Sequence, residues 1–208
     1  MEWFSTLSLA LGSAWTSGIN LYATVTVLGL LQKFGFTHLP GGLEVLDNWW
    51  IIGIAGFLYI IEFFADKIPY VDSVWDVVHT FIRVPAGAIV AYAATNQTDA
   101  GMQMIATLLG GGLAFSSHGT KAAVRAGANL SPEPVSNWVL SLVEDIIAFI
   151  GTILAVFAPV LITIVLMIFL IFFVWFAPKI FRAVRRIFNA IGAIFAGKSF
   201  REIARKAP

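Results

Sequence analysis

Residues 160–176 read VLITIVLMIFLIFFVWF, a run without a single charge that is apolar but for Thr163. A helix that spans the hydrocarbon of a bilayer takes about 20 mostly apolar residues, so this stretch reads as a membrane crossing. Five earlier windows qualify less cleanly: residues 4–31, 49–66, 73–95, 102–126 and 135–156. Each of these is interrupted by polar side chains, which membrane segments keep mainly where they face protein or a water-filled cavity.

The composition agrees. The 208 residues are 59% hydrophobic, 14% aromatic and only 12% charged, with a mean hydropathy of +0.86. A soluble domain carries roughly 25% charged residues, so too few remain here to wet the surface of a globule. A net charge of +1 argues against an overall basic nucleic-acid binder or an acidic disordered partner. The chain has no cysteine, which excludes disulfides, thiol chemistry and Cys-based metal centres. His38, His79 and His118 lie far apart without metal-ligand spacing. Met1-Glu2-Trp3-Phe4 lacks a basic leader, so no removable signal peptide is expected.

Two windows look broken. The first holds Trp15-Thr16-Ser17-Gly18-Ile19-Asn20, and the fourth holds Ser116-Ser117-His118-Gly119-Thr120-Lys121 after Gly110-Gly111-Gly112. Glycine weakens a helix by about 1 kcal/mol relative to alanine, and freed backbone groups at membrane depth need protein or water as partners. The two halves also share a plan. After each glycine-interrupted segment comes a Trp-led helix with two acids, Trp50 with Glu62 and Asp66, then Trp138 with Glu144 and Asp145. A third helix follows with an early proline, Pro85 or Pro159. The expected fold is therefore all-α: six transmembrane helices as a three-plus-three inverted repeat with two broken helices. Repeat 1 covers about 4–97 and repeat 2 about 101–177, within a membrane domain over 1–178.

Residues 179–208 form a basic tail with Lys179, Arg182, Arg185, Arg186, Lys198, Arg201, Arg205 and Lys206. The bias of lysine and arginine puts this end in the cytoplasm, and six crossings then place the N-terminus there too, in a plasma (inner) membrane. Ile180, Phe181, Val184, Ile187, Phe188, Ile191, Ile194 and Phe195 recur at helical spacing opposite the basic residues. The tail is expected to be a helix of its own lying in the interface against anionic lipid.

The polar residues inside the windows carry the functional expectation. Glu62 and Asp66 are four apart on one helix face, and Glu144 and Asp145 answer them in the second half. A carboxylate at membrane depth costs on the order of 3 kcal/mol, so pairs of them point to a cavity, an ion or basic partners. Asn20, Glu62, Asp66, Glu144, Asp145 and Lys121 are the candidate substrate or ion ligands, and the four acids are the candidates for a metal. Asp76, His79, Arg83 and Arg125 are the candidate charge partners. The leading reading is a transporter of a small ion or polar solute, with proton coupling through carboxylates in a low-dielectric site. A transporter or binder of an anionic lipid headgroup or phosphate compound is the second reading, and a non-transporting scaffold the third. No hydrolase, phosphate-binding or dinucleotide motif is present, so neither enzymatic activity nor a cofactor is expected. The expected partners are the bilayer and the solute, with no nucleic acid; self-association is compatible with the pattern.

Ser13-Ala14-Trp15-Thr16-Ser17-Gly18-Ile19-Asn20-Leu21-Tyr22 is one of three distinctive strings. The others are Glu62-Phe63-Phe64-Ala65-Asp66-Lys67-Ile68-Pro69, with Asp72 and Trp75-Asp76 after it, and His118-Gly119-Thr120-Lys121. Together they resemble the polytopic membrane family catalogued as domain of unknown function 4126, over most of the chain to about Pro178. The resemblance implies a membrane fold and no particular activity.

Overall fold

The computed structural model describes residues 2–68, 70–129 and 134–195. Among them every regular element is helical: α1 Glu2–Lys33, a 3-10 turn over Gly41–Asp47, α2 Trp49–Ala65, α3 Val71–Ala94, α4 Ala100–Ala128, α5 Pro134–Phe157 and α6 Pro159–Phe195. The first five apolar windows and their helices coincide within a few residues, because capping chemistry flanks the apolar runs, whereas α6 runs on past its window to Phe195. The Asn48 side chain accepts from the Trp50 amide at 2.8 Å to open α2, and Asp99 accepts from Met102 at 3.0 Å to open α4. Pro134 and Pro159 occupy first-turn positions, where the missing N–H costs nothing.

Four helices are long and apolar enough to cross a membrane: α1, α3, α5 and the Pro159–Lys179 part of α6. A fifth span results if the Gly41–Asp47 turn and α2, bent by 77° to one another, are taken together. The fourth window does form a helix, but the glycines, serines, histidine and basic residues of α4 keep it outside that set, so length and apolarity yield fewer than the expected six. Burial runs opposite to apolarity. In the most apolar 18-residue window of α1, 67% of residues are buried, against 11% for α6. Apolar side chains such as Phe57, Phe81, Ile89, Ile146 and Leu161 face outward, while small and polar residues occupy the interior, as expected where lipid is the solvent.

One expected break is present and the other is not. Asn20 has φ −148° and ψ 99°, outside helical space, and divides α1 into two arms. In α4 the helix runs unbroken through Ser116–Lys121, which corrects the second break and removes the equivalence of the two halves at these segments. The reason is local. The hydroxyls of Ser116, Ser117 and Thr120 fold back onto carbonyls three or four residues earlier, and the space around Gly119 is open, so nothing pulls the backbone out of helix there.

The arms of α1 run to the same end of the bundle. Along the first arm, Ser8 meets Thr163, Gly12 meets Ala155 and Ile162, Thr16 meets Thr152, and Asn20 meets Asp145. The chain thus descends antiparallel to α5. Along the second arm, Tyr22 meets His79, Thr26 lies against Gly56, and Gly29 against Ile52 and Leu46. Since Tyr59 packs on Phe149 and Lys67 reaches Ser141, α2 also descends antiparallel to α5, and the second arm climbs back beside the start of α2. The end to which it returns holds Gly41 against Ala93 and Asn96, and a hollow lined by Trp3, Thr6, Leu7, Thr95, Thr98, Asp99 and Met102. α1 is a re-entrant pair with its turn at Asn20. Four or five candidate spans by length and apolarity stand beside the expected six.

The chain divides into two compact units, 1–167 and 168–208. In the second, Phe169 stacks on Phe173 and Phe172 on Phe176, and the Lys179 ammonium lies 2.9 Å from the centre of the Trp175 ring. The helix continues through Pro178 to Phe195 without a boundary at 179, so the tail does not begin as a separate helix. Lys198, Arg201, Arg205 and Lys206 lie outside the described residues, as do the side chains that would define the two faces of the tail beyond Arg182.

Candidate functional site

Helical spacing builds the site. On α3, Asp72, Asp76, His79 and Arg83 follow one another at intervals of four, three and four residues, and all four are buried. On α4, His118, Lys121 and Arg125 follow the same rule and are buried as well. The two stripes face each other, α2 contributes Glu62 and Asp66 from its last turn and cap, and α5 contributes Ser141, Glu144 and Asp145. The re-entrant turn of α1 closes the site from its middle.

Three cations organise the acids. Arg83, fully buried, pairs with Glu62 through a very short contact, and its Nη1 lies 3.8 Å from Asp76. Lys121 Nζ is 2.9 Å from Asp66, 3.4 Å from Glu62, 3.5 Å from Glu144 and 3.9 Å from Asp76. Arg125 clasps Glu144 through Nε and Nη2, and reaches Asp66 at 3.0 Å and Asp72 at 3.5 Å. Asp72 is further held by the Asn129 amide at 3.0 Å, and Asn129 accepts in turn from Asn137 at 2.7 Å.

The same cations satisfy the backbone freed at the turn of α1. Arg83 Nη1 donates to the Ile19 carbonyl at 2.9 Å and to Gly18 at 3.3 Å, and Lys121 donates to Ile19 at 3.2 Å. Asn20 caps the second arm by accepting from the Ala23 amide at 2.9 Å, and donates to Asp145 at 3.0 Å. A non-helical residue at this depth is tolerated because other helices supply its partners.

The neighbours of His118 fix its ring as neutral, and the rings of both His79 and His118 are held at each nitrogen. His118 Nδ1 faces Arg83 Nη1 at 3.2 Å and must accept, while Nε2 donates to the Asp76 carbonyl at 3.0 Å beside Thr80 Oγ1. His79 donates from Nδ1 to the Trp75 carbonyl at 2.8 Å and accepts from the Tyr22 hydroxyl at Nε2, 3.0 Å away. At the α2–α3 connection, Lys67 Nζ donates to the Phe63 carbonyl at 2.9 Å and to Ser141 at 3.2 Å, and sits on the Phe63 ring. Its burial pulls this ammonium below the ordinary lysine range.

Of the residues expected from the sequence, Glu62, Asp66, Glu144, Lys121, Asp76, Arg83 and Arg125 join one ion network. Asn20 and Asp145 pair with each other beside it, and His79 stands at its edge. Asp72 and His118 belong to it as well, with Tyr22 and Lys67 beside it, and all four lay within the distinctive strings. Asn129 and Asn137 had no signal in the sequence. Among the described residues no group of three His, Asp or Glu side chains is arranged to hold a metal ion.

Six buried carboxylates (Glu62, Asp66, Asp72, Asp76, Glu144, Asp145) face four buried cations, Lys67, Arg83, Lys121 and Arg125. Several carboxylate oxygens make no hydrogen bond: Glu62 Oε2, Asp66 Oδ1, both of Asp76, and Asp145 Oδ2. The fold and this interior define a polytopic helical membrane protein built around a buried, acid-rich ion network. The chain belongs to the family described as Domain of unknown function (DUF4126), which matches residues 7–179. No curated protein and no solved structure matches it.

Proposed function

We propose that this protein is a membrane transporter for a small cation or polar solute, whose path passes the turn of α1 and the carboxylates of α2, α3 and α5. The observation that carries this reading is the meeting of a re-entrant backbone turn with an interior that holds more acids than bases. Uncompensated negative charge at membrane depth is costly, and a bundle needing only rigidity could pack apolar side chains instead. The anionic-headgroup reading has less support, because Lys121 and Arg125 are each already engaged by two or more carboxylates and Arg83 by Glu62. The proposed activity is non-enzymatic.

Current from proteoliposomes on a solid support, pulsed in turn with sodium, potassium, magnesium or manganese chloride, tests the reading. A transient for at least one cation is expected, lost in Asp66→Asn protein that remains monodisperse. Silence for all four, with a current on phosphate pulses instead, would favour the anion reading.

The topology that goes with this proposal has α2 to α6 as five crossings and α1 re-entering from the side of residues 34–48. α4 crosses although its composition is mild, since its charged residues are paired inside. Lys67 and Arg125 lie at one end of the bundle and Glu44, Asp47 and Asp99 at the other. The lysine and arginine at the first of these ends put it in the cytoplasm and the N-terminus outside. Single cysteines can be introduced into this cysteine-free chain to check it. Labels at Glu2, Phe36 and Gln97 are expected to react from outside and one at Gly127 from inside. Glu2 and Phe36 reacting from opposite faces would rule out the re-entrant α1.

A further inference from the structure

Pairing within the ion network is uneven, and the unevenness is informative. Glu62, Asp66, Asp72 and Glu144 each have a direct contact of 3.5 Å or less with Arg83, Lys121 or Arg125. These four acids, with those three cations and Lys67, sum to no net charge. Asp76 and Asp145 are left over. Asp76 is 2% exposed, neither of its oxygens makes a hydrogen bond, and its nearest cations stand at 3.8 and 3.9 Å, beyond hydrogen-bonding reach. Asp145 is 6% exposed, has no ion pair to any cation of the described network, and is met only by neutral groups, the Asn20 amide and the Tyr59 hydroxyl.

An ionised carboxylate buried without charge-assisted hydrogen bonds is among the most costly groups a protein can hold. A neutral carboxylic acid in the same place is far cheaper. His118 cannot absorb the excess, because it presents a lone pair to Arg83, and His79 spends its two ring nitrogens on the Trp75 carbonyl and the Tyr22 hydroxyl, bonding to neither carboxylate. We infer that Asp76 and Asp145 are the two proton-binding sites of the network, each carboxylate taking up one proton and going from −1 to neutral in the resting protein. This rests on the transport reading for its purpose, in which the two protons are the coupling ions, but not for its chemistry.

The surroundings of both groups fit exchange rather than a permanent proton. Asp76 is faced by Arg83 on its own helix, by His118, Lys121 and Arg125 of α4 and by Asp66 from the end of α2. A nearby set of three cations keeps the ionised form within reach. Asp145 is faced by Asn20 of α1, by Tyr59, Glu62, Asp66 and Lys67 of α2 and its connection, and by Lys121 of α4. The Asn20 amide bonds best to an ionised carboxylate, so the proton on Asp145 bears directly on the residue at which α1 turns.

Infrared difference spectra of the full chain in lipid, titrated from about pH 5 to about pH 9, read protonated carboxyl groups directly, since exposed acids are ionised across that range. The wild type is expected to lose carboxylic C=O absorbance from two groups as pH rises. Asp76→Asn and Asp145→Asn are each expected to lose about half of that amplitude, and the double variant nearly all of it. Because asparagine mimics the neutral acid, both single variants are expected to unfold within a few degrees of the wild type at about pH 6. Absence of any titrating C=O band in the wild type, or its persistence at full amplitude in both variants, would overturn the assignment. Proton flux into dye-loaded proteoliposomes is read separately: no flux from wild-type protein that retains both bands would sink the transport reading and leave the two proton sites standing.

Discussion

Arg83→Met alone is expected to destabilise the protein by about 3–5 kcal/mol, the usual result of removing one member of a buried ion pair. Glu62→Leu alone should cost a similar amount, because it strands a guanidinium that is 0% exposed. Combined, the two changes are expected to cost less than their sum by about 0.5–3 kcal/mol. The residual loss of the double variant has a definite source. Arg83 also holds the Gly18 and Ile19 carbonyls at the turn of α1, and an apolar replacement leaves Ile19 to Lys121 and takes this donor from Gly18. Reversible unfolding in a fixed detergent, with the four proteins compared side by side, measures the cycle. Strict additivity would mean that Arg83 and Glu62 do not depend on one another, contrary to the geometry. Asp76 sharpens the test. If Asp76 is neutral in the resting protein, removing Arg83 strands no second carboxylate, and Asp76→Asn placed on top of Arg83→Met should add little further loss.

Helix positions were legible in the sequence because each apolar run is bracketed by residues whose chemistry stops or starts a helix, Asn48, Asp99 and Pro159 among them. The inward stripe of α3 was legible too, since its spacing of three and four residues is a property of the helix alone. The path of α1 was not. Residues 2–33 pass as one long crossing, and whether the chain turns at Asn20 depends on Arg83, Lys121 and Asp145, which arrive from three other helices. The supposed break in α4 failed for the converse reason: Gly119 and the serines before it have the composition of a break, but no other helix draws the backbone out there. Which acids are paired was equally out of reach. Asp66 and Asp76 look alike in the sequence, yet one lies within hydrogen-bonding distance of Lys121 and Arg125 and the other does not.

The difference between the two glycines gives the other large effect. Gly18→Ala is expected to destabilise by about 1–3 kcal/mol, as overpacking does, and Gly18→Leu to prevent folding. A Cβ at Gly18 would meet the Ser117 hydroxyl and the Ala114 backbone, whose Cα lies 2.8 Å from its position. A hydroxyl can rotate away, but the backbone of α4 cannot move without displacing His118 and Lys121 from their partners. The damage should therefore spread from packing to charge, because the carbonyl of Gly18 is itself a partner of Arg83. Gly119→Ala is the contrasting case. Nothing lies within 4 Å of a Cβ there and the helix is unbroken, so alanine should stabilise by about 1 kcal/mol through helix propensity. Midpoints of thermal unfolding, measured for both variants in one detergent, should move in opposite directions. A loss at Gly119 equal to that at Gly18 would mean that α4 does turn there, as α1 does at Asn20.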